Sequence, residues 1–580
     1  MPSLKQFDFA TLPRDFPRRY VKGGTVFDIA AIEQAFAGLK GRGISSVEEI
    51  GRWLADLGEL YSIVYQEKAL RYANYSRQTD NPEYRKAFEE FTETLEPKFK
   101  LASFELEKKY VSSPTRKRLD PKVYGLFDRK TEADVSTFRE QNVELERQDS
   151  ALAQEYQRTF AAMTVTYRGQ ERTLQQMSKF LEETDRRVRE ESWRLANERA
   201  LRDRTGIDGI YGKLVLLRDS AARNAGFRDY AEFIFTRKHR FDYTSADCVR
   251  FHEGVERYLV PLSREIDRRR LEKLGVEELM PWDLKVDPEG KPPLTPYREV
   301  EELVGGCAKV VESVDRQLLG YFSKLEALGL LDLESRKGKA PGGFQEEFME
   351  LKLPFIFMNA AGKDGDVRTL LHESGHSFHS FLMREAKVLF CNSGYYLPTE
   401  FAEVASMSME LMSGEHLQGT FYTPDEAKRS NREELVSMVK LFTWVATIDA
   451  FQFWAYTHPD HTPEQRAEAW TKTFSRFAGL ESYEGNEEHM RSRWQRQLHL
   501  FEVPFYYIEY GIATIGALGI WTKYRRDRRD AVESYKLALS LGASRSLPDL
   551  FGAAGLDWDI GPSALQQYAG ELRSAIREYE

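Results

Sequence analysis

The stretch DGDVRTLLHESGHSFHSF, residues 364–381, holds the side chains best suited to chemistry. Within it His372 and His376 stand four apart, and Glu373 follows the first of them. Four residues of α-helix advance about 6 Å and turn about 40°, so two imidazoles at that spacing can converge on one metal ion. Glu373 lies beside that face, where a carboxylate can take a proton from metal-activated water. With ten histidines in 580 residues, chance supplies such a pair with glutamate at that fixed position on the order of 0.02 times.

A catalytic zinc site takes three protein ligands and keeps a fourth position open, so a third ligand is required. The HExxHxxGxxH pattern would need glycine and histidine at two positions that here hold His379 and Leu382. His379 shares the stripe with the other two histidines, but three consecutive ligands on one helix would strain the geometry, so it reads as packing or support. The next helical segment, LPTEFAEVASMSMELM at 397–412, presents Glu400, Glu403 and Glu410 on one stripe. Its apolar surroundings argue that these carboxylates face inward and are paired, and spacing leaves the choice among the three open.

Positioning these groups requires helices, and the chain is rich in them. Segments at 28–76, 83–111, 132–162, 182–202, 246–274 and 298–327 space apolar residues by three and four, which predicts a mainly α fold. Asp366 is suited to cap the helix whose apolar side carries Leu370, Leu371, Phe378 and Phe381. MTVTYRGQERT at 163–173 reads as a hairpin and LKLPFIFMN at 351–359 as a strand, so only small sheets are expected. Two Pro/Gly-rich stretches, 280–296 and 334–344, read as loops, the second as a mobile one. Its GKAPGG order lacks the glycine-then-lysine order of a phosphate-binding loop. The charged run at 184–204 has opposite charges four apart and reads as a solvated helix face.

Composition narrows the function further. At 41% hydrophobic and 30% charged residues the chain can bury a large core. A net charge of −9 without a basic, aromatic-interleaved stripe excludes a nucleic-acid partner. Cys248, Cys307 and Cys391 form no CxxC pair, which excludes a disulfide framework and fits a reducing compartment. The first twenty residues lack the apolar core of a signal peptide. Residues 505–521 are about one turn short of a membrane span and contain Glu509, so they read as a buried helix. No membrane partner and a cytoplasmic location are the expectations.

HESGH with FAEVAS after it, the lead-in LPFIFMNAAGKDGDV, and HLFEVPFYYIEYGIA at 499–513 together resemble the thimet oligopeptidase and oligoendopeptidase F family of zinc peptidases. PWDLKVDPEG at 281–290 and LGASRSLPDLFGAAGLDW at 541–558 are similar to its oligoendopeptidase F branch. The resemblance covers the chain from about residue 200 onward, and the start more loosely. It implies an N-terminal helical region over 1–190 and a zinc peptidase catalytic region over 191–580. The implied fold is a helical ellipsoid with a deep central channel and a small β-sheet near the zinc site. By that resemblance one zinc per chain is held by His372, His376 and Glu403, Glu373 is the general base, and Glu400 orients a ligand histidine. His499, Tyr507 and Tyr510 then face the substrate carbonyl. The stretch from His499 is one residue shorter than in thimet oligopeptidase, so Tyr506 rivals Tyr507.

The expected function is therefore zinc-dependent endopeptidase action on internal bonds of short oligopeptides, by metal-activated water with a glutamate base, in a monomer or small homo-oligomer. A phenol or imidazole beside zinc suits the developing oxyanion, although FYYIEYG at helical spacing is equally the pattern of core packing. The 351–359 strand, as an exposed edge, would bind substrate by strand addition. A helical HExxH zinc carboxypeptidase is the nearest alternative and requires a cation to hold a free C-terminus. An aminopeptidase is disfavoured because no GxMEN-type segment is present, and an inactive peptide-binding scaffold would not need His372, Glu373, His376 and Glu403 intact.

Overall fold

The computed structural model of the protein describes residues 8–22, 26–384 and 397–580, so Cys391 lies outside the described residues. The expected mainly α fold is found, with one two-stranded and one three-stranded sheet among the described residues. Two compact units are present, and each draws on three separate stretches of chain. The first takes Met1–Val135, Leu294–Ser430 and Gly516–Trp558; the second takes Ser136–Pro293, Asn431–Ile515 and Asp559–Glu580.

In the first unit, the helical pattern over 28–76 divides into Ile29–Gly41 and Val47–Arg77. Ser46 restarts the helix through a reciprocal capping box with Glu49. Ile50, Trp53, Leu54, Leu57, Leu60, Tyr61 and Val64 then line the buried face of the second helix. A wide π turn at Phe91–Leu95 precedes Pro97, whose missing N–H and bulky ring rule out a regular turn there. The three-stranded sheet has the order β3 (Leu331–Glu334), β5 (Leu353–Ala360), β4 (Phe344–Phe348), β5 being parallel to β3 and antiparallel to β4. Thus the 351–359 segment is the central strand and not an exposed edge. A continuous apolar run buried on both faces suits a centre position, and the margins of the sheet belong to β3 and β4.

The loop between β3 and β4 is pinned, where a mobile one was expected. The Lys339 ammonium is fully buried and donates to Asp332, to the Glu334 carbonyl and to the Met358 carbonyl. Thr79 and Ala340 add backbone bonds between the loop and the end of the Val47–Arg77 helix. Asp332 also accepts from Arg77 and Arg336, and Arg336 with Lys339 holds its carboxyl at about 2 against the opposing pull of burial.

The second unit contains the expected hairpin, β1 (Thr164–Tyr167) and β2 (Gln170–Thr173), turned by Arg168 and Gly169, both at positive φ. Most of the charged run is a solvated face, with Glu190 and Arg194 paired at 2.9 Å. Arg189 departs from that expectation: it is buried and meets the wholly buried Asp283 at 2.9 Å, which anchors the start of the 280–296 loop. The segment expected to be a buried helix starts in this unit as helix Tyr507–Arg526, where Ile508, Ile512 and Ala513 are inaccessible and Glu509 pairs with Arg240 at 2.7 Å. No helix among the described residues is long and apolar enough to cross a membrane.

Candidate active site

HESGH lies on helix Asp364–Met383, which packs on β5 of the first unit. Asp366 caps it from within: its carboxylate accepts from the backbone N–H groups of Lys363 and Ala361 at 2.9 and 2.7 Å, while the helix itself begins at Asp364. The helix Thr399–Gly414 runs antiparallel against it, as contacts of Arg368 with the Glu410 carbonyl, Gly375 with Ala405, and His379 with Phe401 show in turn. Gly375 makes the close approach possible. A β-carbon there would lie 2.6 Å from the Ala405 oxygen and 2.6 Å from the Ser406 α-carbon.

This proximity brings Glu403 to the two histidines. Glu403 Oε2 lies 3.5 Å from His372 Nε2 and 3.6 Å from His376 Nε2. Among the described residues no other group of three potential ligands converges in this way. Ser406 donates to Glu403 Oε2 at 3.1 Å and fixes its rotamer. His372 Nδ1 meets Glu410 Oε1 at 2.6 Å, and His376 bonds the Ala402 carbonyl. Both ring nitrogens of His372 thus face carboxylates, and the one that holds Nδ1 is Glu410, where the resemblance led to Glu400. The antiparallel register explains it: residue 410 lies level with the turn that carries His372, whereas 400 lies beyond His379. His379 stands outside the cluster, buried against Phe401 with neither nitrogen hydrogen-bonded among the described residues, and burial lowers its pKa to about 3.

Glu373 is 7% exposed and accepts from the backbone N–H of Gln345 in β4. Burial pushes its carboxyl up to about 7, and the neighbouring Glu403 and Glu410 add to the effect. Burial opposes ionisation of Glu403 as well, but the two histidines outweigh it and hold that carboxyl at about 2. Burial would also lower His372, yet Glu410 and Glu403 raise it well above its ordinary value. His376, with a weaker balance of carboxylates, falls to about 4, chiefly through desolvation. Two buried carboxylates, Glu373 and Glu403, and the partly buried Glu410 around two imidazoles therefore call for positive charge.

A divalent cation fits that demand. Two imidazole nitrogens and one carboxylate oxygen form the His₂Glu set of catalytic zinc centres, and tetrahedral bonds of about 2.0–2.1 Å place ligand atoms about 3.3 Å apart. The separations of 3.5 and 3.6 Å agree with that span.

The other expected residues form a separate cluster in the second unit. His499 sits on the short helix Leu498–Glu502, and Tyr507 and Tyr510 occupy the first turn of Tyr507–Arg526. Ring centroids place His499 4.9 Å from Tyr507, 6.1 Å from Tyr510 and 5.7 Å from Tyr506. Phe505 turns the chain between these helices in the left-handed region, φ 60°, an uncommon state for a bulky residue. It is held there by Gln452, which accepts from its N–H at 2.6 Å, by Arg240 on its carbonyl, and by complete burial. Gln497, which sequence reasoning did not single out, bonds both His499 and Tyr507. Its place two residues before His499 was the one available signal.

A mainly helical fold with HESGH on one helix and a carboxylate-bearing helix packed against it defines a peptidase-like architecture, and comparison with known proteins gives the family. The model of peptidase family M3 matches residues 179–560, and that of the M3 N-terminal domain matches 25–138. The chain belongs to peptidase family M3, on its oligoendopeptidase F branch. An oligoendopeptidase F homolog of Borreliella burgdorferi is 26% identical over 264 residues, 43% of each chain. Oligopeptidase PepF of Bacillus subtilis is 26% identical over 235 residues, 39% of this chain and 33% of its own length. The matches thus span less than half the length of these two relatives. Among solved structures, PZ peptidase A with an inhibitor superposes with a TM-score of 0.88 at 26% identity. A protein assigned as oligoendopeptidase F gives 0.87 at 26% identity, and both superpositions cover 98% of this chain and 99% of the other.

Proposed function

We propose that the chain is a zinc-dependent endopeptidase hydrolysing internal bonds of short, flexible oligopeptides, with one Zn2+ per chain held by His372, His376 and Glu403. The convergence of those three donor atoms is the observation that carries the reading. When bound, zinc supplies Lewis acidity, lowering the pKa of water and polarising a peptide carbonyl. Glu373, whose proton affinity is raised by burial, takes a proton from water at neutral pH and returns it to the leaving amine. Glu410 keeps the His372 proton on Nδ1, which leaves the Nε2 lone pair facing Glu403 and the ligand position. His499, Tyr507 and Tyr510 are assigned to the oxyanion on the family pattern. Tyr507 already donates to Gln497 at 3.1 Å, which engages its hydroxyl proton. Substrate strand addition belongs to the marginal strand β4, whose Gln345 contacts Glu373. A cytoplasmic setting is part of the proposal, in keeping with the unbonded, buried Cys248 and Cys307.

The test joins metal content to turnover. Purified protein should carry one zinc per chain and cut a quenched peptide blocked at both ends. Glu373→Gln should keep the metal and lose most turnover, whereas Glu403→Gln should release it. Equal metal loss in both would undo the division of roles. Release of C-terminal residues alone, with blocked peptides intact, would favour a carboxypeptidase.

A further inference from the structure

Gln497 sits at the junction between the short helix bearing His499 and the 3₁₀ turn before it. Its Oε1 accepts from the indole Nε1–H of Trp444 at 2.9 Å and from the Tyr507 hydroxyl at 3.1 Å. An indole nitrogen can only donate, so the amide is oriented with its oxygen toward Trp444. Its NH₂ group must then face the other way, where His499 Nδ1 lies at 2.7 Å. Because Gln497 donates, that ring nitrogen must accept, and a neutral imidazole accepting on Nδ1 carries its proton on Nε2.

We propose that Gln497, clamped by Trp444 and Tyr507, is a positioning residue that holds His499 as the neutral Nε2–H tautomer with that N–H turned outward as a donor. The inference deepens the role given to His499 above and rests on it. It also gives Tyr507 a role distinct from donation to substrate: its hydroxyl proton is engaged in the clamp. The charged groups acting on His499 are Glu509 and Lys238, themselves paired at 3.1 Å. Burial lowers the His499 pKa, with Lys238 assisting and Glu509 opposing, which favours the neutral ring the clamp requires. Trp444 does more than fill space here. Without its indole donor the amide could rotate, and the histidine could place its proton on either nitrogen.

Gln497→Glu inverts the relation with almost no change of shape. A carboxylate still accepts from Trp444 and Tyr507, but its second oxygen accepts from Nδ1–H and leaves Nε2 without a proton. The new carboxylate also raises the pKa of the ring, so the comparison belongs at high pH, where the imidazole is neutral: there kcat should fall about a hundredfold with KM little changed, the loss typical of one transition-state donor. As the pH is lowered the ratio to the parent should recover toward one, because an imidazolium carries protons on both nitrogens. His499→Ala should be as impaired as the double variant, since the clamp acts only through that ring. Independently, two-bond ¹H–¹⁵N spectra of histidine-labelled parent protein, assigned by His499→Gln, should show pyridine-type Nδ1 and pyrrole-type Nε2.

The outcomes separate the two claims. If His499→Ala keeps parental turnover, the assignment of His499 fails whatever its tautomer. If His499→Ala is impaired while Gln497→Glu is not, or if the spectra show a proton on Nδ1 in the parent, the inference about Gln497 is overturned.

Discussion

Replacing Gly375 by alanine tests whether the closeness of two helices sets the spacing of the proposed metal ligands. The added β-carbon meets the Ala405 oxygen and the Ser406 α-carbon at 2.6 Å, about 0.8 Å inside the 3.4 Å at which ordinary contact begins. Both obstacles are backbone, so neither can rotate aside, and the helices must part or tilt by roughly that distance. Overpacking of this kind costs about 1–3 kcal/mol, a fall of a few degrees in melting temperature for a unit of this size. Glu403 moves with its helix, so its 3.5 and 3.6 Å separations from the histidines widen by a similar amount. Displacement on that scale should weaken zinc affinity by about 10–100-fold, comparable to losing a supporting hydrogen bond at a metal site. Titration against a chelator-buffered zinc series gives the affinity, and calorimetry gives the melting temperature. Gly365→Ala is the control: it lies in the first turn of the same helix, and its β-carbon would meet nothing within 4 Å. If Gly375→Ala matches that control in both measurements, helix contact does not govern the ligand geometry.

Three further outcomes are expected. Glu410→Gln should lower zinc affinity about 10–100-fold by weakening the 2.6 Å bond to His372, while Glu400→Gln should leave it near parental; the reverse ranking would refute the register argument. Tyr510→Phe should reduce kcat about a hundredfold with little change in KM or melting temperature, whereas loss of stability alone, about 1 kcal/mol, would mark Tyr510 as a core residue. Glu346 in β4 is pushed up to about 7 by burial, against 4.5 unfolded. The folded state therefore holds an extra proton between those values, and stability falls as pH rises from 4.5 to 7. Glu346→Gln should raise the unfolding free energy at pH 8 by about 1–2 kcal/mol after allowing for partial exposure, seen as a higher melting temperature, and should not do so below pH 4.5. An equal shift at both would show that its carboxyl is not perturbed.

Local periodicity made much of the fold legible: amphipathic helices, the 164–173 hairpin and the shared face of His372 and His376 follow from spacing alone. What periodicity could not supply was register between elements. Glu400, Glu403 and Glu410 occupy one stripe, and only the antiparallel contact through Gly375 decides which turn each one meets. The apolar run of β5 looks the same at the centre of a sheet as at its edge, so its two hydrogen-bonded neighbours could not be foreseen. Lys339 was hidden in a glycine- and proline-rich loop because its partners, Asp332 and the Met358 carbonyl, are distant in pattern though near in space. Gln497 escaped notice for a similar reason, since the indole that orients it is 53 residues away in sequence.

The interleaving of the two units bears on how the chain folds as it is made. Residues up to Val135 belong with a stretch ending at Trp558, and Ser136 onward with one ending at Glu580. At synthesis rates of about 5–20 residues per second, tens of seconds separate the emergence of the earliest helices from that of their last partners. Throughout that interval Ile50, Trp53, Leu54 and Leu57 can pack among the early helices, but neither unit can close. Folding must therefore wait on long-range loop closure, which slows it and exposes apolar surface to aggregation. Neither half of this protein is a natural fragment for expression, because cutting between them severs both cores at once.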